Sequence, residues 1–414
     1  MPDFIFRLPV ELQLTDTQRI ALDYESSTVV SGGPGSGKTV VTIYKFLSPI
    51  KNEENAMLFT YNKTLLASIR GLLRDKADDL FGDLDQDKIL EIINNNVASF
   101  SKFYGDINYG DADEVALKFS EKVQKQGSKY SEILFDEAQD LTPAVFAHAF
   151  SLADKVSCGV DDAQNLQGNF RPDEAVSTIL ENLRMQNKTE LQELDSNFRN
   201  TKEIFEFARS FVPEDENVQN IDSSDLDSGE LPEIFDSLTD EEQLKRIRLI
   251  IENNPASNIG ILVNYSNQVD TIKDFLVANG YSCDVDAPDN LSFSYYYHNM
   301  NPIDQEVIFE RLKTPFILTY DSCKGLEFEI VIMPFFNDCQ RALTKGKKVK
   351  KRNEFNRLVE ARDENNRVIF ERNADGTIKM YATPNHYYVG ATRARRQLYV
   401  LCNRVPDILS FYNK

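Results

Sequence analysis

In the stretch Thr28 to Val40, TVVSGGPGSGKTV, the spacing of Gly32, Gly37, Lys38 and Thr39 is that of a loop that wraps phosphate groups. Glycines let the backbone turn its N–H groups inward, while Lys38 adds a point charge and Thr39 offers a hydroxyl to Mg²⁺. Gly33, Pro34, Gly35 and Ser36 complete the wall, and an apolar run precedes it, as the pattern requires. A second apolar run, in SEILFDEAQD, ends on Asp136 and Glu137, at the edge where open parallel sheets hold their ligands. Asp136 suits Mg²⁺ held through water, and Glu137 suits alignment of an attacking water. Singly, a glycine-rich turn or an acidic strand end means little; together they point to hydrolysis of a nucleoside triphosphate. That chemistry also needs positive charge on the transferring group, and an arginine can supply it at a gain of roughly 10³ to 10⁵ in rate. Arg199, after LDSNF, and Arg393, in YYVGATRARRQLYV, are the candidates.

These residues need a scaffold that brings them to one place. Apolar runs ending in Gly or Asp alternate with helical patterns, which predicts an α/β fold of parallel sheets covered by helices. Thr28 to Ser31, Ala56 to Thr60, Ile133 to Phe135 and Val156 to Val160 read as buried strands of a first set. NIGILVNY, FILTY, EIVIMPFF and QLYVLC read as a second set. At 414 residues the chain exceeds what one core organises. The expected division is an N-terminal domain over 1–209, an acidic connection over 210–232 and a C-terminal domain over 233–414. A hairpin-containing insert is expected near 338–385, where two β-rich runs flank Asp375-Gly376.

Composition narrows the partners. Lys+Arg total 46 against 66 Asp+Glu, a formal net charge of -20, so any nucleic-acid surface has to be a local basic strip. Cys158, Cys283, Cys323, Cys339 and Cys402 lie far apart without CxxC spacing, and no leader pattern opens the chain, which predicts a reducing, cytoplasmic setting. No apolar run approaches the roughly 18 residues of a membrane span, so no membrane partner is expected.

Seven segments in order resemble the superfamily 1 helicases of the UvrD, Rep and PcrA kind, from about Thr15 to Val400. LTDTQRIAL resembles the glutamine motif, SGGPGSGKT and FDEAQDLTP the two nucleotide motifs, and GVDDAQNL the GDxxQ segment, with Val160 where glycine is usual. LDSNFRN, CKGLEFEIV and VGATRARR are similar to the three that follow. The resemblance implies two RecA-like domains with ATP and Mg²⁺ in the cleft between them. Gln18 would then read the adenine edge, Gln164 sense the γ-phosphate and Arg199 reach it. Glu327, beside Gly325, would contact the ribose, and Arg393 would be the arginine finger. It implies translocation on single-stranded DNA, with unwinding less expected because the usual large insertions are short here.

The chain departs from that pattern where bases would stack. Asp321 stands where relatives have histidine, Phe100 likewise, and Gln167 and Asn169 follow Gln164 where relatives carry aromatics. Tyr61, Phe100, Phe103 and Phe170 are either replacement platforms or ordinary core. The basic run KGKKVKKR, Lys345 to Arg352, is either a phosphate contact or a solvated loop. Two functions therefore remain: a strand-translocating motor, or a regulatory module whose ATP cycle gates a protein partner such as a nuclease.

Overall fold

The computed structural model describes residues 4–82, 84–105, 112–171, 174–212, 223–284, 291–298, 300–336, 346, 348–352, 358–372, 376–378 and 384–409. Residues 213–222 of the acidic connection, Lys345 and Lys347 of the basic run, Asp375 of the expected hairpin turn, Cys339, and the side chain of Phe103 lie outside that description.

Two six-stranded sheets, with every pairing parallel, form the body of the chain. The first contains β1 (Ser27–Gly32), β2 (Ala56–Thr60), β3 (Val97–Ser99), β4 (Tyr130–Asp136), β5 (Ala153–Val160) and β6 (Thr189–Leu194), in the order β3-β2-β4-β5-β1-β6. The second contains β7 (Glu233–Phe235), β8 (Ile259–Val263), β9 (Ser294–Tyr296), β10 (Phe316–Thr319), β11 (Phe328–Met333) and β14 (Ala394–Leu401), in the order β7-β14-β11-β8-β10-β9. Between β11 and β14, β12 (Lys350–Arg352) pairs antiparallel with β13 (Leu358–Glu360), and bridges Lys348–Phe370, Arg362–Val368 and Arg372–Ile378 extend this side ribbon.

The central strands β1, β2, β4 and β5 are covered on both faces, which is why they read as continuous apolar runs. On one side pack Ile43, Phe46 and Leu47 of helix Lys38–Lys51 with Leu65, Ile69 and Leu72 of helix Lys63–Asp75. On the other lie Phe59, Phe100, Phe119, Phe135 and Phe146. The second sheet forms its own core around Ile261, Leu318, Val331 and Leu398.

Helix Lys202–Arg209 turns its apolar side toward the core of the second sheet. Its Ile204, Phe205 and Phe207 belong to the second core, and Phe211 just beyond lies 5.8 Å from the Tyr387 ring. The apolar residues after Asn200 are therefore satisfied by the second sheet. Phe100 and Phe170 are also settled as core: they are 0% and 3% exposed, and Phe100 meets Phe59 edge-on at 5.7 Å. Tyr61 packs against the same cluster, partly buried.

Truncating such a ring leaves a cavity, so Phe100→Ala is expected to lower unfolding free energy by about 3–5 kcal/mol, read from urea denaturation. Unchanged stability with impaired single-strand binding would return the ring to a stacking role.

Candidate functional site

The first-half candidates other than Gln18 lie at the carboxyl ends of their strands, and those of the second half lie just before theirs. The phosphate loop follows β1, Asp136 ends β4, and Gln164 lies in the single turn Asp162–Gln164 after β5. Arg199 follows β6, while Gly325 and Glu327 precede β11 and Arg393 precedes β14. One cavity of about 260 Å³ is lined by Gln18, Pro34, Gly35, Gly37, Lys38, Thr39, Glu137, Gln164 and Arg199 from the first half and by Gly325, Glu327 and Arg393 from the second. Gly32, Gly33, Ser36 and Asp136 stand directly behind this surface, bonded to its members.

The loop closes tightly because two positions accept only glycine. Gly35 and Gly37 have φ of 76° and 93°, and a Cβ on Gly35 would press on the Cβ of Arg199 at 2.7 Å. A Cβ on Gly37 would collide with the Gln18 amide. Gln18 caps its own helix by accepting the Thr15 N–H at 3.1 Å, and its Nε2 donates to the Ser36 carbonyl at 2.9 Å. It therefore fixes the loop as well as facing the cavity.

Lys38 is 7% exposed and donates to the Gly32 and Gly33 carbonyls at 2.7 and 2.9 Å and to Asp161 at 3.2 Å. Thr39 Oγ1 donates to Asp136 Oδ2 at 2.8 Å. Burial, then the neighbouring Glu137, pushes the Asp136 carboxyl up to about 7. Glu137 sits at φ 55°, a conformation that costs a non-glycine residue of order 1–3 kcal/mol and here turns the side chain into the cleft. Burial opposes its charge, yet Lys324, Lys38 and Arg393 together hold it below the ordinary range. Burial thus favours the proton on Asp136, while the surrounding cations favour the charge on Glu137.

Across the seam, Arg393 is 1% exposed and donates to the Val389 carbonyl at 2.9 Å and to Gln164 Oε1 at 3.2 Å. Arg199 Nε faces Glu327 at 3.4 Å, and Arg395 takes the other oxygen of Glu327 at 3.2 Å. Burial, then the charge of Arg393, lowers Arg199 to about 10. Arg199 Nη1 and Ser36 Oγ are buried without hydrogen-bond partners. Two guanidinium groups that repel each other, one with an orphaned donor, make a site that an anion would relieve.

Several members were not singled out on the sequence. Lys324, 1% exposed, reaches from the second half to Asp140 at 2.6 Å and the Gln164 carbonyl at 2.7 Å, with Glu137 at 3.9 Å. Asn200 Nδ2 donates to the carbonyls of Thr392 and Ala394 at 3.0 and 2.6 Å. Phe198 is 50% exposed at the cavity rim. Asp321, which stands where relatives have histidine, lies 3.0 Å from His386 Nε2.

Residues 25–404 match the family described as Schlafen group 3, DNA/RNA helicase domain. The mitochondrial ATP-dependent DNA helicase HMI1 of Saccharomyces cerevisiae is 29% identical over 206 residues, covering 45% of this chain and 28% of that protein. The C-terminal domain of "a possible DNA helicase" from Lactobacillus plantarum overlaps 52% of this chain and 93% of its own, at 13% identity and a TM-score of 0.29. Among the described residues no helix is long and apolar enough to cross a membrane, and Cys158, Cys283, Cys323 and Cys402 are free thiols.

Asp136 and Asp140 are raised from 3.8 to about 7 and about 6, in each case by burial first. A carboxyl that binds its proton more tightly when folded costs stability as pH rises from its unfolded to its folded value. In the absence of divalent cations, Asp136→Asn should therefore gain on the wild type in urea midpoint between pH 4 and pH 7. A mutant-minus-wild-type difference in midpoint that falls over that range would contradict the assignment.

Proposed function

From the premise that this chain belongs to the Schlafen group 3 DNA/RNA helicase-domain family, we propose that it is an ATP-hydrolysing motor of the superfamily 1, UvrD/Rep/PcrA-like kind acting on single-stranded nucleic acid, DNA in the first instance. The observation that carries this reading is the single cavity lined by the phosphate loop and Glu137 from one half and by Glu327 and Arg393 from the other. A triphosphate held there touches both halves, so its binding draws them together and its cleavage lets them part.

In this reading the backbone of residues 32–39 and Lys38 hold the phosphates, with Lys38 exchanging its loop carbonyls for phosphate oxygens. The orphaned Arg199 Nη1 supports a γ-phosphate contact. Glu137, ionised and held by Gln139 Nε2 at 2.5 Å, accepts a hydrogen bond from the attacking water and orients it. Gln164, tied to Arg393, links the γ-phosphate position to the second half. Arg393 stabilises charge that develops on the transferring group. Phe198 offers an exposed ring to a base, and Gln18 an amide edge. The adjacent Thr39 hydroxyl and Asp136 carboxylate fit Mg²⁺, a hard cation that takes one or two protein oxygens and completes its shell with phosphate and water. When bound, Mg²⁺ would neutralise charge on the phosphates, with Asp136 holding it in its ionised form.

One observation favours the second reading, an ATP-gated regulatory subunit for a protein partner such as a nuclease. Phe100 and Phe170 are core residues, so two candidate base platforms are lost, and each such platform is worth about 1–3 kcal/mol per base. ATPase rate with and without single-stranded DNA or RNA separates the two. Stimulation of roughly tenfold or more that vanishes at high salt marks the motor. A rate indifferent to any strand but changed by a protein partner marks the switch.

Lys38→Ala is expected to abolish turnover through lost phosphate binding. Arg393→Ala should retain ATP binding while slowing hydrolysis by roughly 10³-fold or more in a single-turnover assay. An equal fall in binding and hydrolysis would remove Arg393 from the transition state.

A further inference from the structure

Residues 4–9 run from one half to the other along the cleft. The Phe4 N–H donates to the Leu312 carbonyl at 3.0 Å, and its ring meets Phe328 edge-on at 5.8 Å. Ile5 and Asn258 exchange two hydrogen bonds: the Ile5 N–H donates to Asn258 Oδ1 at 3.0 Å, and Asn258 Nδ2 donates to the Ile5 carbonyl at 2.8 Å. Arg7 lies 2.6 Å from Glu329. All these partners are in the second half. The same segment is held by the first half through the Tyr44 hydroxyl, which donates to the Pro9 carbonyl at 2.9 Å, and through Phe6, whose ring fills the space a Cβ on Gly71 would need. Residues 4–9 line the cavity that holds Lys38, Glu137 and Arg393.

We propose that residues 4–9 form a strap, a wall of the nucleotide cleft shared by both halves, which must peel from the second half before the cleft opens and releases nucleotide. This rests on the nucleotide reading above. The strap leads through the single turn Glu11–Gln13 into helix Asp16–Asp23, whose Gln18 holds the phosphate loop, so opening pulls on it from the first half. Its grip on the second half comes chiefly from the buried Phe4 ring and the Asn258 exchange. Arg7 is 44% exposed, and a surface ion pair of that kind holds weakly. Because the chain runs on covalently into the first half, the seat on the second half is the one that opening would break. Strap detachment then becomes a step in each cycle, and strap grip sets nucleotide residence time.

The test uses the whole chain with Phe4→Ala, Asn258→Ala and Ile5→Pro, the last removing one strap N–H donor without touching the second half. Release of a fluorescent ADP analogue is followed by stopped flow, and amide exchange on 4–9 is followed without nucleotide. The expected result is faster exchange on the strap in all three, with release accelerated about tenfold, the factor that ~1.4 kcal/mol of lost contact gives. Faster exchange with wild-type release would mean that the segment is not a wall of the site, and overturns the proposal. Unchanged exchange overturns the tether itself. If the wild type fails to bind the analogue while strap exchange still responds, the tether stands; the nucleotide reading and the strap's role in release both fall.

Discussion

The ammonium group of Lys324 is almost entirely withdrawn from water, and the architecture of the cleft follows from what has to surround it. Removing such a charge from solvent costs several kcal/mol unless a carboxylate and further hydrogen bonds meet it in good geometry. The second half supplies the lysine; Asp140, Glu137 and the Gln164 carbonyl come from the first. Charge balance thus requires the two sheets to stand in one register. The Asn200 contacts with Thr392 and Ala394 give the same register a directional, neutral component. Because the lysine also depresses Glu137, the proximity of the halves and the ionisation of that carboxylate are one variable.

A second balance holds on the cationic side. Glu327 accepts Arg199 and Arg395 on separate oxygens, while Arg393 lies near enough to depress Arg199. More guanidinium charge converges there than protein carboxylate answers. With Arg199 Nη1 left without a hydrogen-bond partner, this imbalance is one that a ligand of the opposite sign would relieve.

Much of the candidate site was readable because Lys38, Asp136, Gln164, Glu327 and Arg393 adjoin strands that are largely buried, and such strands announce themselves as apolar runs. β1, β2, β4, β5, β8, β10, β11 and β14 were legible for that reason. β3, β7 and β9 are three residues each, and β6, TELQEL, is an edge strand with only its end residues buried, so no hydrophobic run marks them. Lys324 and Asp140 escaped notice because charged residues are ordinarily exposed, and only the apposed sheets turn that prior around. Aromatic type alone could not say whether Phe100 faced a base or a core. Nor does anything in FIFRLP point to Asn258, a partner far along the chain.

The side ribbon between β11 and β14 hangs from an otherwise all-parallel framework. Its antiparallel pairing closes on itself, through Lys350–Glu360 and the bridges beyond, without contributing a rung to either sheet. Lengthening a surface excursion costs only about 0.6 kcal/mol per doubling. The position is thus a modular port: evolution or an engineer can graft new appendages there while leaving the alignment of the two sheets untouched.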